Sequence, residues 1–135
     1  MEGEEDRDRR EDNLSAIDWE RVFWDTHLKK GDGGLIGGEE KFRRAVVDTG
    51  KIQLGGKSFR SLWEDYKARG EDSVLDKLRR QGVKCIYFFG LVLRDPDGFR
   101  RVLYLFSDGS EWHWSFLWLG LQWGADDPSA SLASN

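Results

Sequence analysis

Apolar residues recur at helical spacing in segments between Leu14 and Gly82 and at strand spacing afterwards, with the change falling near Lys84. Ile17, Val22, Phe23, Trp24 and Leu28 recur at helical spacing between Leu14 and Lys30, and Ser15 with Asp18 supplies a capping-box start, so a first helix is predicted there. The glycine-rich run from Gly31 to Gly38 ends it, because so many glycines make regular structure entropically expensive. A second short helix is predicted over Glu39 to Val47, with Phe42, Ala45 and Val46 inward; a strand at Ala45 to Asp48 competes. Ser58 is placed to cap a third helix that carries Phe59, Leu62, Trp63 and Tyr66 on one side and ends near Gly70. A fourth begins after Asp72, carries Val74, Leu75 and Leu78, and stops at Gly82. The apolar faces of these last two should pack on a sheet.

That sheet is predicted from the second half. Lys84 to Leu93 is apolar at almost every position and rich in β-branched and aromatic residues, which suits a central strand covered on both faces. Asp95-Pro-Asp-Gly98 is turn chemistry, Val102 to Phe106 is the return strand, and Ser107-Asp-Gly-Ser110 is a second tight turn into Glu111 to Trp118. The result is a three-stranded antiparallel meander. Along its last strand Trp112 and Trp114 share one face, while Glu111, His113 and Ser115 share the other. The fold class is therefore α+β, with N-terminal helices packed on an antiparallel meander near the C-terminus.

Charge changes the picture at both ends. Residues 1–12 are charged almost throughout, which predicts a disordered, solvated tail that is neither signal peptide nor membrane span, leaving residues 13–135 as one domain. On that reading the protein is cytoplasmic and does not insert in a membrane, with surface display by another route left open. From Val102 onward there is no Lys or Arg, although the chain has 21 of them, and the net charge is −4. Such a chain has no nucleic-acid footprint, which would need a basic face. The single cysteine, Cys85, lies in an apolar run and reads as a small hydrophobe, not as half of a disulfide framework.

Candidate chemistry is sparse. Gly56-Lys57-Ser58 ends like a phosphate loop, but Lys51 stands where the first glycine should be. Asp108, Glu111 and His113 form the one local group of metal-ligand types, too few for a closed site, so neither a metal nor any other cofactor is expected. Asp126 and Asp127 before Pro128 suit a solvated turn better than acid–base catalysis. No nucleophile–base arrangement is readable, and a non-enzymatic protein is expected. Four of the seven tryptophans, Trp112, Trp114, Trp118 and Trp123, crowd into Glu111 to Trp123. Such a cluster makes a core floor or a recognition surface, and exposed rings could stack on sugars, so a carbohydrate-binding module stays open as an alternative.

The stretch Gly109-Ser-Glu-Trp-His-Trp-Ser-Phe-Leu-Trp-Leu-Gly-Leu-Gln-Trp-Gly-Ala-Asp-Asp-Pro-Ser-Ala-Ser-Leu-Ala-Ser134 resembles the C-terminal variable region of proteins diversified by diversity-generating retroelements, in versions from small-genome archaea and candidate-phylum bacteria. The pattern is W-x-W-x-x-x-W-L, a further W, an acidic pair, then P-S-A and L-A-S. In that family a reverse transcriptase copies a template and randomises its adenines. Tryptophan codons contain no adenine, so the resemblance implies a fixed structural frame of Trp112, Trp114, Trp118 and Trp123. It implies ligand-binding variable positions at Ser107, Asp108, Ser110, His113, Ser115, Phe116, Leu117, Gly120, Leu121, Gly124, Asp126 and Asp127, within a variable region of about residues 105–134. An asparagine codon randomised at its adenines never yields Glu, Lys, Gln, Met or Trp, and none of these positions holds one. Glu111 and Gln122 would be fixed. The family's C-type-lectin-like fold is implied, as is a protein or cell-surface ligand; four predicted helices exceed the two of that fold, leaving an unrelated helical α+β arrangement open. Oligomeric state is not legible.

Overall fold

The computed structural model describes residues 4–8, 10, 17–45, 51–124 and 127–132. Its centre is the strand β5 (Cys85–Arg94), in which Ile86 through Leu93 are all buried. A strand buried on both faces needs layers above and below, and the residues around it supply both. β5, β6 (Arg100–Ser107) and β7 (Trp112–Trp118) form the predicted antiparallel meander, with Tyr87 opposite Tyr104 and Tyr104 opposite Ser115. In the first turn the Asp95 carboxylate accepts from the backbone N–H groups of Asp97 and Phe99, and Gly98 takes φ +88°. Asp108 plays the same part in the second turn, accepting from Ser110 and Glu111 with Gly109 at φ +101°.

On the other side of β5 lies β9 (Ser129–Leu132), parallel to it, which makes the sheet mixed. β9 also pairs with β2 (Phe23–Asp25) and β4 (Ile52–Gln53), giving the order β2-β9-β5-β6-β7 with β4 alongside β9. Gly90 permits the join: Gln53 and Leu54 pass so close to it that a Cβ there would strike their backbone, and its N–H donates to the Leu54 carbonyl. A separate two-stranded piece pairs β3 (Ile36–Gly37) with β8 (Gln122–Trp123).

One face of the sheet carries α2 (Gly56–Arg69) and α3 (Val74–Arg80). Leu62, Leu75 and Leu78 pack with Ile86, Phe88, Leu105 and Trp112 into the larger core cluster. The opposite face carries α1 (Gly38–Arg43) and the β3–β8 pair at one end, where Ala45, Phe89, Val102, Leu119 and Trp123 form a second cluster.

Four expectations are corrected. The first helix is absent over residues 17–30: Asp18 caps a single 3-10 turn at Trp19–Arg21 and the chain then enters β2. Three consecutive apolar residues, Val22-Phe23-Trp24, are poor helix material, and the β9 edge gives them ladder partners that outweigh the helical spacing; Ser15 falls outside the described residues. The second helix starts one residue earlier than Glu39, running Gly38–Arg43 and loosening into a wider turn through Arg44 and Ala45, while Val46 to Asp48 fall outside the described residues. Ser58 is not a cap. α2 begins three residues earlier with Gly55 at its N-cap, pressed against Gly90, and Ser58 is buried in the first turn. Finally, part of the supposed tail is β1 (Glu4–Arg7), antiparallel to Leu91–Leu93. Backbone pairing with an open strand edge needs no apolar side chains, so composition gave no sign of it.

Candidate functional site

The sheet face opposite α2 and α3 is only half covered. Leading out of the second core cluster from buried Tyr87 is a row of rings from three strands: Tyr87 stacks on Tyr104 at 5.1 Å, Tyr104 on Phe106 at 5.2 Å, and Phe106 meets His113 at 5.4 Å. β7 adds His113, Ser115 and Leu117, alternate residues of one strand and hence one face. These three candidates are brought together by the hairpin register. Leu117 is half-buried against the second cluster, and His113 and Ser115 are half-exposed.

Polar groups border the row. His113 Nε2 lies 2.8 Å from Asp108, whose carboxyl is held well below the usual carboxylate range by the Glu111 backbone N–H first, then by His113 and Ser110. At the other end the Tyr87 hydroxyl donates to Asp127 at 3.0 Å, and Asp127 also accepts from the Gly124 N–H. Burial first, then the Asp127 charge, pushes the Tyr87 hydroxyl far above its ordinary value. Behind this pair Lys41 is fully buried, donating to the Thr26 carbonyl at 2.8 Å with its ammonium 5.5 Å from the Phe89 ring centre. Burial pushes it down to about 8 against the opposing pull of Asp25 and Asp127.

The remaining candidates separate. Ser107 ends β6, opposite Trp112, and Asp108 and Ser110 belong to the β6–β7 turn. Gly120 and Leu121 are exposed in the turn after β7, and a Cβ on Gly120 would meet nothing within 4 Å. Gly124 is buried, and a Cβ there would come within 3.1 Å of a Leu35 methyl, so it is poorly placed to vary. Asp126 lies outside the described residues. Phe116 points to the other face, at 38% exposure, beside Trp114.

The tryptophan frame divides as well. Trp112 and Trp123 are 2% and 1% exposed, each in a different core cluster, but Trp114 and Trp118 are 45% and 44% exposed. The last two are therefore not buried supports. α2 covers the Trp112 end of β7 and little beyond: Phe59 meets Trp114 edge-on at 5.7 Å, and Trp118 stacks on exposed Phe99 at 4.8 Å.

Asp108, Glu111 and His113 place one ligand atom each within 4.8 Å of one another, the types that could hold a divalent ion. Asp108 already accepts from Ser110, Glu111 and His113, which is what a hydrogen-bonded turn aspartate does without an ion.

A second constellation was not legible in the sequence. Ser129 Oγ stands 3.3 Å from His27 Nε2, and His27 Nδ1 is 3.6 Å from Asp25, the order of a hydrolytic triad. Ser129 is only 1% exposed, so an acyl group has no route to its hydroxyl. The group serves structure: Asp25 accepts the His27 N–H at 2.8 Å and so holds His27 at its unusual φ of +59°. Tyr104 and Phe106 were also missed as site residues, although their alternation with Leu103 and Leu105 marks a strand apolar on both faces.

No protein-family model, no curated protein and no solved structure matches the chain. Among the described residues no helix is long and apolar enough to cross a membrane.

Proposed function

We propose that the protein is a non-enzymatic binding protein whose half-covered sheet face is diversified by a retroelement on a C-type-lectin-like scaffold, with a protein or cell-surface molecule as its ligand. The observation that carries this reading is the placement of His113, Ser115 and Leu117 on one face beside the Tyr104–Phe106 row, while Trp112, Leu119 and Trp123 of the same stretch are buried. At the start of β7, alternation turns Trp112 into the core and His113 and Ser115 to the other face, where they can meet a ligand. Gly120 and Leu121 extend the variable set into an exposed turn. Within the triad-like group the Ser129 hydroxyl is buried and is not offered to a substrate.

Sequencing the DNA around the gene tests the proposal. The expected result is a template repeat beside a reverse-transcriptase gene, matching the codons of residues 105–134 and carrying adenines where the codons for His113, Ser115, Leu117 and Leu121 differ. Absence of such a repeat, or differences concentrated on Trp112 and Trp123, would refute it.

The exposure of Trp114 and Trp118 favours a second reading, in which the opposite face of β7 binds sugar rings by stacking. Titration with soluble oligosaccharides, followed by tryptophan fluorescence, separates the two. A saturable change lost in Trp114→Ala and Trp118→Ala would select the sugar reading, and no change would select the first.

A further inference from the structure

β7 is the last strand of the sheet, and among the described residues nothing pairs with its outer edge. The hairpin decides which backbone groups face that edge. The Asp108 N–H donates to the Glu111 carbonyl and the Leu119 N–H to the Arg100 carbonyl, so alternation directs the groups of His113, Ser115 and Leu117 to β6 and those of Trp112, Trp114, Phe116 and Trp118 outward. The Tyr66 hydroxyl accepts the outward Trp112 N–H, and the Trp118 carbonyl accepts from Leu121. The N–H groups of Trp114, Phe116 and Trp118 and the carbonyls of Trp114 and Phe116 take no partner among the described residues. The same three residues carry exposed rings. Open edges are ordinarily guarded by a charge, a proline or a bulge. Residues 112–118 hold no Lys, Arg, Asp, Glu or Pro, and their register with β6 runs without a bulge.

We propose that a second copy of the chain covers this edge, the two β7 strands pairing antiparallel about a twofold axis at Phe116. Rings stand symmetrically about that residue, so the axis sets each beside a ring: Phe116 against the partner's Phe116, and Trp114 against the partner's Trp118. In that register the Phe116 N–H of each copy reaches the partner's Phe116 carbonyl, and the Trp118 N–H reaches the partner's Trp114 carbonyl. With no charged side chain on the strand, no charge is set against its like. Roughly 250 Å² of ring surface per copy would leave water, which puts the contact at the small end of specific interfaces and its affinity in the micromolar range. Each β7 has a single outer edge, so the assembly closes at two copies. On the other face the pairing sets Ser115 across from the partner's Leu117 and joins the two half-covered faces into one. Phe116, a candidate variable position, would be held by the interface. The dimer does not rest on the proposed function, and a monomer would leave His113, Ser115 and Leu117 where they stand.

Sedimentation equilibrium of the full chain from about 1 to about 500 µM tests this, together with amide hydrogen exchange at the two ends of that range. A reversible monomer–dimer equilibrium with no larger species is expected. The Phe116 and Trp118 amides should exchange at least fivefold more slowly at the high concentration, while those of Ser115 and Leu117, bonded within the hairpin, should hardly change. Phe116→Lys and Phe116→Glu, changes at an exposed side chain, should each be monomeric with an unaltered circular dichroism spectrum. Mixed in equal amounts they should form a heterodimer, because this register sets position 116 against itself. A monomer at every concentration would overturn the proposal and leave the edge to a sugar or to a strand from another protein. So would a dimer that persists in Phe116→Lys, a mixture that stays monomeric, open-ended growth, or concentration-dependent protection confined to residues away from β7.

Discussion

Trp112 and Trp114 sit two positions apart on β7 and point the same way, yet only the first is covered: α2 meets Trp114 with the Phe59 ring edge-on and leaves that indole 45% exposed. The consequence is energetic. Trp112→Ala and Trp123→Ala should each cost about 3–5 kcal/mol by leaving a cavity in a packed cluster. Trp114→Ala and Trp118→Ala should cost about 1 kcal/mol or less, since much of each ring is already in water. Denaturant midpoints of the four variants check this ordering. Leu117→Ser should cost more than Phe116→Ser or Leu121→Ser, because only Leu117 packs on the second cluster. Lys41 gives a prediction in pH. Its folded value is pushed down to about 8 from an ordinary 10.5, so the unfolded chain holds the extra proton between those limits. Stability should therefore rise as pH goes from about 8 to 10, where the burial penalty on the ammonium fades, and this rise should be missing in Lys41→Met. Above pH 10 the Tyr87 hydroxyl works the other way, since the folded state keeps its proton while the unfolded chain releases it.

At the scale of elements, the parts written in local chemistry were legible and those made by distant pairing were not. The Asp95-Pro-Asp-Gly98 turn, the buried run of β5 and the α3 stop at Gly82 each depend on a few adjacent residues. By contrast β1, β2, β4 and β9 are strands of two to four residues that exist because another strand offers an edge. Ser129 to Leu132 carries no strand periodicity, and Val22 to Trp24 was absorbed into a helical pattern that its three consecutive apolar residues contradict. The site was half legible for the same reason: alternation placed His113 and Ser115 opposite Trp112, but which tryptophans are covered depends on where α2 lies. β1 carries its own prediction. Deleting residues 1–10 removes its pairing with Leu91–Leu93, the Asp8 N–H bond to Gly90 and the Asp8 carboxylate bond to the Gln53 N–H. With about 0.5–1.5 kcal/mol net for each hydrogen bond lost, the melting temperature should drop by several degrees. An unchanged melting temperature would mean that β1 adds nothing to the sheet.

For the whole molecule, the two faces of one sheet have different duties. Two helices close the first around the larger core, while α1 and the β3–β8 pair close only one end of the second. A surface that is to change its side chains needs backbone fixed from behind, and β7 is fixed by its full ladder to β6 and by Trp112 beneath α2. The account therefore stands on a contrast in tolerance within a dozen residues. The most direct measurement is the protease resistance of a displayed library in which His113, Ser115, Gly120 and Leu121 are randomised together, set against one randomised at Trp112, Leu119 and Trp123. The account predicts that most members of the first library stay folded and almost none of the second do. Equal loss in the two libraries would show that the half-covered face is part of the core, and the reading of it as a variable binding surface would be wrong.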